Sequence, residues 1–75
     1  MATLKFQFGR QLRHFRRQRD LTQEQLAELV GISVDMLSNI ERGVNAPSFE
    51  TMDKLSRVLG VPVMAFFKTT DTLEE

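Results

Sequence analysis

The most constraining feature of this chain is the stretch LAELVGISVDMLSNIERG, residues 26–43, where two helical patterns follow each other closely. Apolar residues recur at helical spacing up to Val30, stop at Gly31, and begin again in a second phase at Leu37 and Ile40. Two helices joined by so short a connection cannot lie antiparallel, so they cross at a steep angle. The stretch therefore predicts a tight pair of short helices.

The corner between these two helices contains the residue types that such a crossing needs. Thr22 and Ser33 are expected N-caps, because a hydroxyl accepts from the amides of the first turn. Gly31 tolerates the left-handed backbone that ends a helix. Ala27 is small where the backbones approach, and Ile32 fills the corner. Seven positions fit this arrangement together: Leu26, Ala27, Val30, Gly31, Ile32, Leu37 and Ile40.

Apolar stripes predict further helices on either side of this pair, and we expect the members of these stripes to lie in the core. One stripe indicates a helix over residues 4–19 and consists of Leu4, Phe8, Leu12 and Phe15. A second indicates a helix that Ser48 caps and Gly60 ends, and it consists of Phe49, Met52, Leu55, Val58 and Leu59. Pro62 fits the first turn of a short fifth helix over residues 63–67. The sequence thus predicts an all-α bundle of five short helices.

Length and composition limit the classes of function. At 75 residues, we expect one domain over residues 1–68, an acidic, disordered tail over residues 69–75, and no second, ligand-sensing domain. The absence of cysteine excludes disulfides and thiolate metal sites, and a single histidine argues against a histidine-based metal site or catalytic triad. We therefore expect no cofactor, no metal and no enzymatic activity. Without a signal peptide or membrane span, the expected location is the cytoplasm.

The net charge of zero conceals a basic N-terminal region. Residues 1–19 contain six basic residues and no acidic one. The positive electrostatic field of these residues favours a polyanionic partner, although a solvated helix face explains the same charges.

Four further motifs accompany the helical corner: Leu21-Thr22-Gln23, Ile40-Glu41-Arg42-Gly43, Pro47-Ser48 and Leu59-Gly60-Val61. With them, roughly residues 8–67 resemble the phage repressor and Cro family, the Xre-type or lambda-repressor-like helix-turn-helix domains. The resemblance implies a five-helix DNA-binding domain in which helices 2 and 3 form the helix-turn-helix. Residues 33–42 would then be the recognition helix, which enters the major groove of double-stranded DNA. Asp20 departs from the glycine usual in the family, at a small expected cost in stability.

The resemblance also implies which residues read DNA bases. The expected base-reading residues are Ser33, Val34, Asp35, Ser38 and Asn39. By their chemistry, Asn39 suits a bidentate contact to adenine, Asp35 suits cytosine N4, and Val34 suits a thymine methyl group. A solvated polar position is the alternative for each, and Asp35 lowers affinity for a phosphate-lined groove unless it finds a base donor.

A second implied set contacts phosphates and carries no sequence information. Its members are Gln23, Arg42, Asn45, Ser48, Arg10, Arg13 and Arg17. Gln23 begins helix 2, where the helix dipole favours an anion. The family resemblance places Arg16 and Glu41 in a partly buried structural ion pair instead.

One recognition helix reads too few base pairs to specify a unique site in a genome. A homodimer on an inverted-repeat operator is therefore expected. The candidate interface is apolar and consists of Val61, Val63, Met64, Phe66 and Phe67. Phe66 and Phe67 are adjacent and point in different directions, so one of them is expected to pack on the partner. The functional expectation is a transcriptional repressor.

Other partners stay open at this point. Glu24 and Glu28 form either a solubilising face or a patch that touches RNA polymerase. A protein-interaction module on the same scaffold, such as an antitoxin that binds a toxin partner, is the alternative function. Asp35 and the neutral total charge favour that alternative, whereas the basic first helix and Gln23 favour DNA.

Overall fold

A computed structural model describes residues 3–68, and these residues form four α-helices followed by one 3₁₀ helix. Their bounds are α1 Leu4–Gln18, α2 Gln23–Val30, α3 Val34–Glu41, α4 Phe49–Leu59 and the 3₁₀ helix Val63–Phe67. The all-α class is confirmed for this part of the chain. The fifth predicted helix is a 3₁₀ helix, a form typical of such short segments. The predicted tail, residues 69–75, lies outside the described residues.

Local signals start and stop these helices as the sequence predicts. The side chains of Thr22, Ser33 and Ser48 accept the amide of the third residue of their helices. Gln25 completes a capping box, since its Oε1 accepts the Thr22 amide at 2.9 Å. At the opposite end of α2, Gly31 has a φ of 84°. The predicted N-caps are therefore confirmed.

The core lies where α1, α3 and the 3₁₀ helix meet the α2–α4 pair. Its buried members are Phe8, Leu12, Leu26, Ala27, Val30, Leu37, Ile40, Leu55, Leu59 and Phe66. Two predicted stripe members do not belong to it, because Leu4 is 62 % exposed and Phe49 is 85 % exposed. Both residues are the first of their helices, so the predicted helical pattern is confirmed there, but the expectation that these two stripe members lie in the core is wrong.

α1 crosses closely over the end of α3 at Gly9. A Cβ atom built on Gly9 would lie 2.5 Å from the carbonyl oxygen of Glu41 and closer still to that of Ile40. Real Cβ atoms do not approach backbone oxygens so closely. Glycine at this helix-interior position therefore allows α1 and α3 to pack in contact.

Among the described residues, no helix is both long and apolar enough to cross a membrane.

We expect Gly9→Ala to lower the free energy of unfolding by about 2 kcal/mol or more, because overpacking at the crossing outweighs the better helix propensity of alanine. Urea denaturation followed by circular dichroism measures the change. The matched control is Gly31→Ala: no atom lies within 4 Å of a Cβ there, although φ is 84°. Left-handed strain alone costs the control about 1 kcal/mol. A Gly9→Ala variant as stable as the unsubstituted chain would contradict the close packing.

Candidate nucleic-acid interface

A buried ion pair holds together the elements that surround the candidate interface. Arg16 donates from Nε to Oε2 of Glu41 at 2.6 Å and from Nη2 to Oε1 at 3.2 Å. The two side chains are only 10 % and 2 % exposed. Arg16 also donates from Nη1 to the carbonyl oxygen of Leu21 at 2.7 Å. One guanidinium thus links α1, the α1–α2 turn and α3.

Gln23 adds α2 to this network. Its Nε2 donates to Oε1 of Glu41 at 3.0 Å, so the carboxylate accepts three hydrogen bonds from two side chains. Gln23 is a predicted phosphate contact; in this structure its side chain donates to Glu41, and its role toward DNA stays a prediction. The side-chain amide of Gln23 has a second N–H, and the first turn of α2 leaves backbone amides without helical acceptors, so donors for a phosphate remain.

A cleft of about 770 Å³ lies between α1, the start of α2 and α3. Its polar and basic lining includes Arg10, Arg13, Arg17, Gln23, Ser38 and Arg42. Glu41 also borders the cleft, but Arg16 already balances its charge. The four lining arginines therefore give the cleft a positive charge suited to phosphate groups.

This cleft brings together five of the seven predicted phosphate residues, from three helices. Asn45 and Ser48 do not line it, and the Ser48 hydroxyl caps α4 and donates to the Thr51 hydroxyl. Arg10 is held against an aromatic ring, since its guanidinium carbon lies 5.7 Å from the centroid of Phe6. Phe6 is not among the predicted site residues, although it lines the cleft.

The outer face of α3 borders the cleft. Val34 and Asp35 are exposed on it, whereas Ser38 and Asn39 are half-buried. Met36, which is not among the predicted site residues, is exposed beside Val34 and Asp35. Met36 follows the exposed Val34 and Asp35 and precedes the buried Leu37, and this position on the helix was the available signal.

Two predicted base-reading residues have hydrogen bonds within the protein. The Ser33 hydroxyl accepts the Met36 amide at 3.0 Å, which caps α3. The Asn39 side chain accepts a hydrogen bond from Arg42 at 2.6 Å. The roles of these side chains toward DNA stay predictions.

The C-terminal apolar residues divide differently from the prediction. Phe66 is fully buried, and its ring centroid lies 4.9 Å from that of Phe8 and 5.8 Å from that of Phe15. Phe67 is half-buried, with its centroid 5.4 Å from that of Phe8. Both rings reach α1 because neighbouring residues of a 3₁₀ helix are about 120° apart, not opposite. Assigning Phe66 to a dimer interface was therefore wrong.

The remaining interface candidates stay accessible. Met64 is 69 % exposed, and Val61 and Val63 are half-buried.

Comparison with known proteins gives consistent matches. A family model described as "Helix-turn-helix" matches residues 12–66. The cryptic phage CTXphi transcriptional repressor RstR of Vibrio cholerae is 32 % identical over 65 residues, which are 87 % of this chain and 59 % of RstR. The immunity repressor protein of Bacillus phage phi105 is 34 % identical over 67 residues, 89 % of this chain and 46 % of the repressor.

Among solved structures, the restriction-modification controller protein C.AhdI from Aeromonas hydrophila superimposes with a TM-score of 0.80 at 32 % identity. The alignment covers 84 % of this chain and 96 % of C.AhdI. The chain spans about half the length of the two repressors described above.

We expect Glu41→Ala to lower the free energy of unfolding by about 3 to 5 kcal/mol, because it leaves the Arg16 guanidinium buried and without its partner. Denaturant titration measures the loss. The control is Asp53→Ala, which removes an ion pair with Arg57 whose side chains are 58 % and 78 % exposed. An exposed pair one helical turn apart contributes about 0.5 kcal/mol or less. Equal losses in the two variants would show that burial of the Arg16–Glu41 pair has no energetic consequence.

Proposed function

Because the chain belongs to the helix-turn-helix family, we propose that it binds double-stranded DNA sequence-specifically and regulates transcription as a repressor. In this proposal α2 and α3 are the helix-turn-helix, and α3 enters the major groove. The observation that carries the proposal is the positive cleft beside the outer face of α3. A duplex offers phosphates and base edges side by side, and this surface offers cations and hydrogen-bonding groups side by side.

The cleft supplies the contacts to the DNA backbone. Arg10, Arg13 and Arg17 line the cleft from α1, and Arg42 lines it from the end of α3. The start of α2 adds the amides near Gln23, where the helix dipole favours a phosphate. Asn45 and Ser48 are proposed as peripheral contacts on the same strand. These groups position the protein and supply its salt-dependent affinity.

The outer face of α3 supplies the contacts to base edges. Val34 suits a thymine methyl group, and the Asp35 carboxylate suits the cytosine N4 donor. Ser33, Ser38 and Asn39 are the hydrogen-bonding members of the set. Asp35 repels phosphates, so it adds specificity by penalising sites that lack a donor at its position.

Two copies are needed for a useful recognition length, and we propose a homodimer on an inverted repeat. The proposed contact surface, called here the C-terminal apolar surface, consists of Val61, Val63, Met64 and Phe67. Met64 is its most exposed member. The proposed location is the cytoplasm, where a bacterial or phage operator would be found.

The test of this function is a selection from random duplexes of about 30 base pairs at about 150 mM salt. Recovery of a palindrome whose half-sites lie about one helical turn apart supports the dimeric operator binder. Recovery of no sequence, or of duplexes without a pattern, would favour the alternative of a protein-interaction module on this scaffold. The exposed Val34 and Met36 would then contact a protein partner, such as a toxin.

We expect Arg13→Gln to weaken binding to all duplexes without changing base preference, because a phosphate contact carries no sequence information. The slope of log K against log salt concentration should become about 0.9 smaller in magnitude. Titrations of a selected duplex at several salt concentrations measure it. Arg57→Gln removes the same charge from α4, away from the cleft, and should leave the slope unchanged. An unchanged slope for Arg13→Gln would remove Arg13 from the interface.

We expect Met64→Lys to convert the dimer to a monomer, because a lysine on the C-terminal apolar surface must be desolvated when two copies meet. Sedimentation velocity gives the association state, and binding to one half-site against a full palindrome gives the functional consequence. Leu29→Lys is the control, since Leu29 is exposed on α2 outside this surface. Dimers that form equally well in both variants would place the interface elsewhere.

A further inference from the structure

The outer face of α3 contains a hydrogen bond between two of its proposed DNA contacts. Arg42 donates from Nη2 to Oδ1 of Asn39 at 2.6 Å, one helical turn earlier. Arg42 is also one of the four arginines that line the cleft. The contact therefore joins a proposed phosphate residue to a proposed base-reading residue.

The backbone holds both partners in place for this contact. The Arg42 amide donates to the Ser38 carbonyl oxygen at 3.0 Å, which closes α3. The Asn39 carbonyl oxygen accepts from the amides of Val44 and Asn45 at 2.9 and 3.3 Å. The backbone of both residues is thus already held by hydrogen bonds. Forming the side-chain contact therefore costs little additional backbone conformational entropy.

The chemistry of the two groups fixes the orientation of the amide. A guanidinium has only N–H donors, so Asn39 can bond to it only through its oxygen, Oδ1. The Nδ2 amino group, with two donors, then points away from Arg42. A bond to a charged donor is shorter and stronger than one between neutral groups, so this orientation is favoured over the flipped one.

We propose that Arg42 is a positioning and specificity-determining residue, which turns Asn39 into a donor group that prefers guanine to adenine. The inference rests on the proposed DNA binding and deepens it, since it names the base that this part of α3 selects. It differs from the bidentate adenine contact that the identity of Asn39 alone suggests.

The major-groove edges of the two purines explain the preference. Guanine presents two acceptors, N7 and O6, whereas adenine presents the N7 acceptor and the N6 amino donor. The two N–H donors of the Asn39 amino group match the two acceptors of guanine. An adenine amino group would instead meet an oxygen that is already bonded and a neighbouring positive charge, which repels it.

The test is the duplex selection repeated with three variants of the full chain. The unsubstituted chain should select guanine at one position of each half-site. Arg42→Ala frees the Asn39 oxygen, so the ratio of affinities for adenine and guanine at that position should rise by about tenfold, within the range for one base contact. Asn39→Ala should lose the preference at that position. Arg57→Ala, the matched control, should keep the guanine.

A second measurement detects the contact without DNA. In NMR spectra of the free protein, the Asn39 side-chain NH₂ resonances should shift in Arg42→Ala and stay in place in Arg57→Ala. Circular dichroism of each variant confirms that it is folded.

The outcomes separate this inference from the proposed function. If Arg42→Ala weakens binding to every duplex equally and still selects guanine, Arg42 acts on phosphate alone and this inference is wrong, although the DNA-binding function stands. Selection of adenine by the unsubstituted chain would overturn it in the same way. If the unsubstituted chain selects no sequence, the proposed function fails and the inference fails with it.

Discussion

The crossing of α1 over the carbonyl end of α3 is the constraint on which the rest of this structure depends. Gly9 lies at the crossing and has no Cβ to hold the backbones apart. Because the helices touch there, the basic side chains of α1 border the same cleft as Arg42 at the end of α3. A side chain at position 9 would separate the two helices and, with them, the two walls of the cleft. The proposed binding surface is therefore a consequence of the packing of a single glycine.

The Arg16–Glu41 ion pair also holds α1 and α3 together near this crossing. Burial of two charges carries a desolvation penalty, which is offset only when each charge has good hydrogen-bonding geometry. Here the guanidinium also bonds the Leu21 carbonyl oxygen, and the carboxylate also accepts from Gln23. The pair is therefore well satisfied, and it orients the start of α2 relative to α3. It also neutralises the Glu41 carboxylate at the border of the cleft, so the positive charge there comes from arginines that remain exposed.

Features set by neighbours in sequence could be predicted, and features set by neighbours in space could not. The caps at Thr22, Ser33 and Ser48 depend on bonds over three residues, so their positions follow from sequence alone. Whether Phe49 and Phe66 are buried depends on where the other helices lie. Phe49 continues its stripe, but no element within residues 3–68 covers it, whereas Phe66 packs against Phe8 and Phe15. Gly9 had a signal that was missed, since a glycine inside a helix costs about 1 kcal/mol relative to alanine and needs a packing reason.

The same distinction applies to the candidate recognition surface. Assigning a base to each side chain of α3 treats every residue as free to use all of its donors and acceptors. Contacts within the protein remove part of that capacity before DNA arrives. Ser33 uses an acceptor to cap α3, Gln23 uses a donor on Glu41, and Asn39 uses its oxygen on Arg42. α3 can offer a base edge only those donors and acceptors that contacts within the protein leave unused. For Asn39, the unused group is the amino donor. Specificity in such a helix is thus a property of hydrogen-bonded pairs of side chains, which residue identity alone does not reveal.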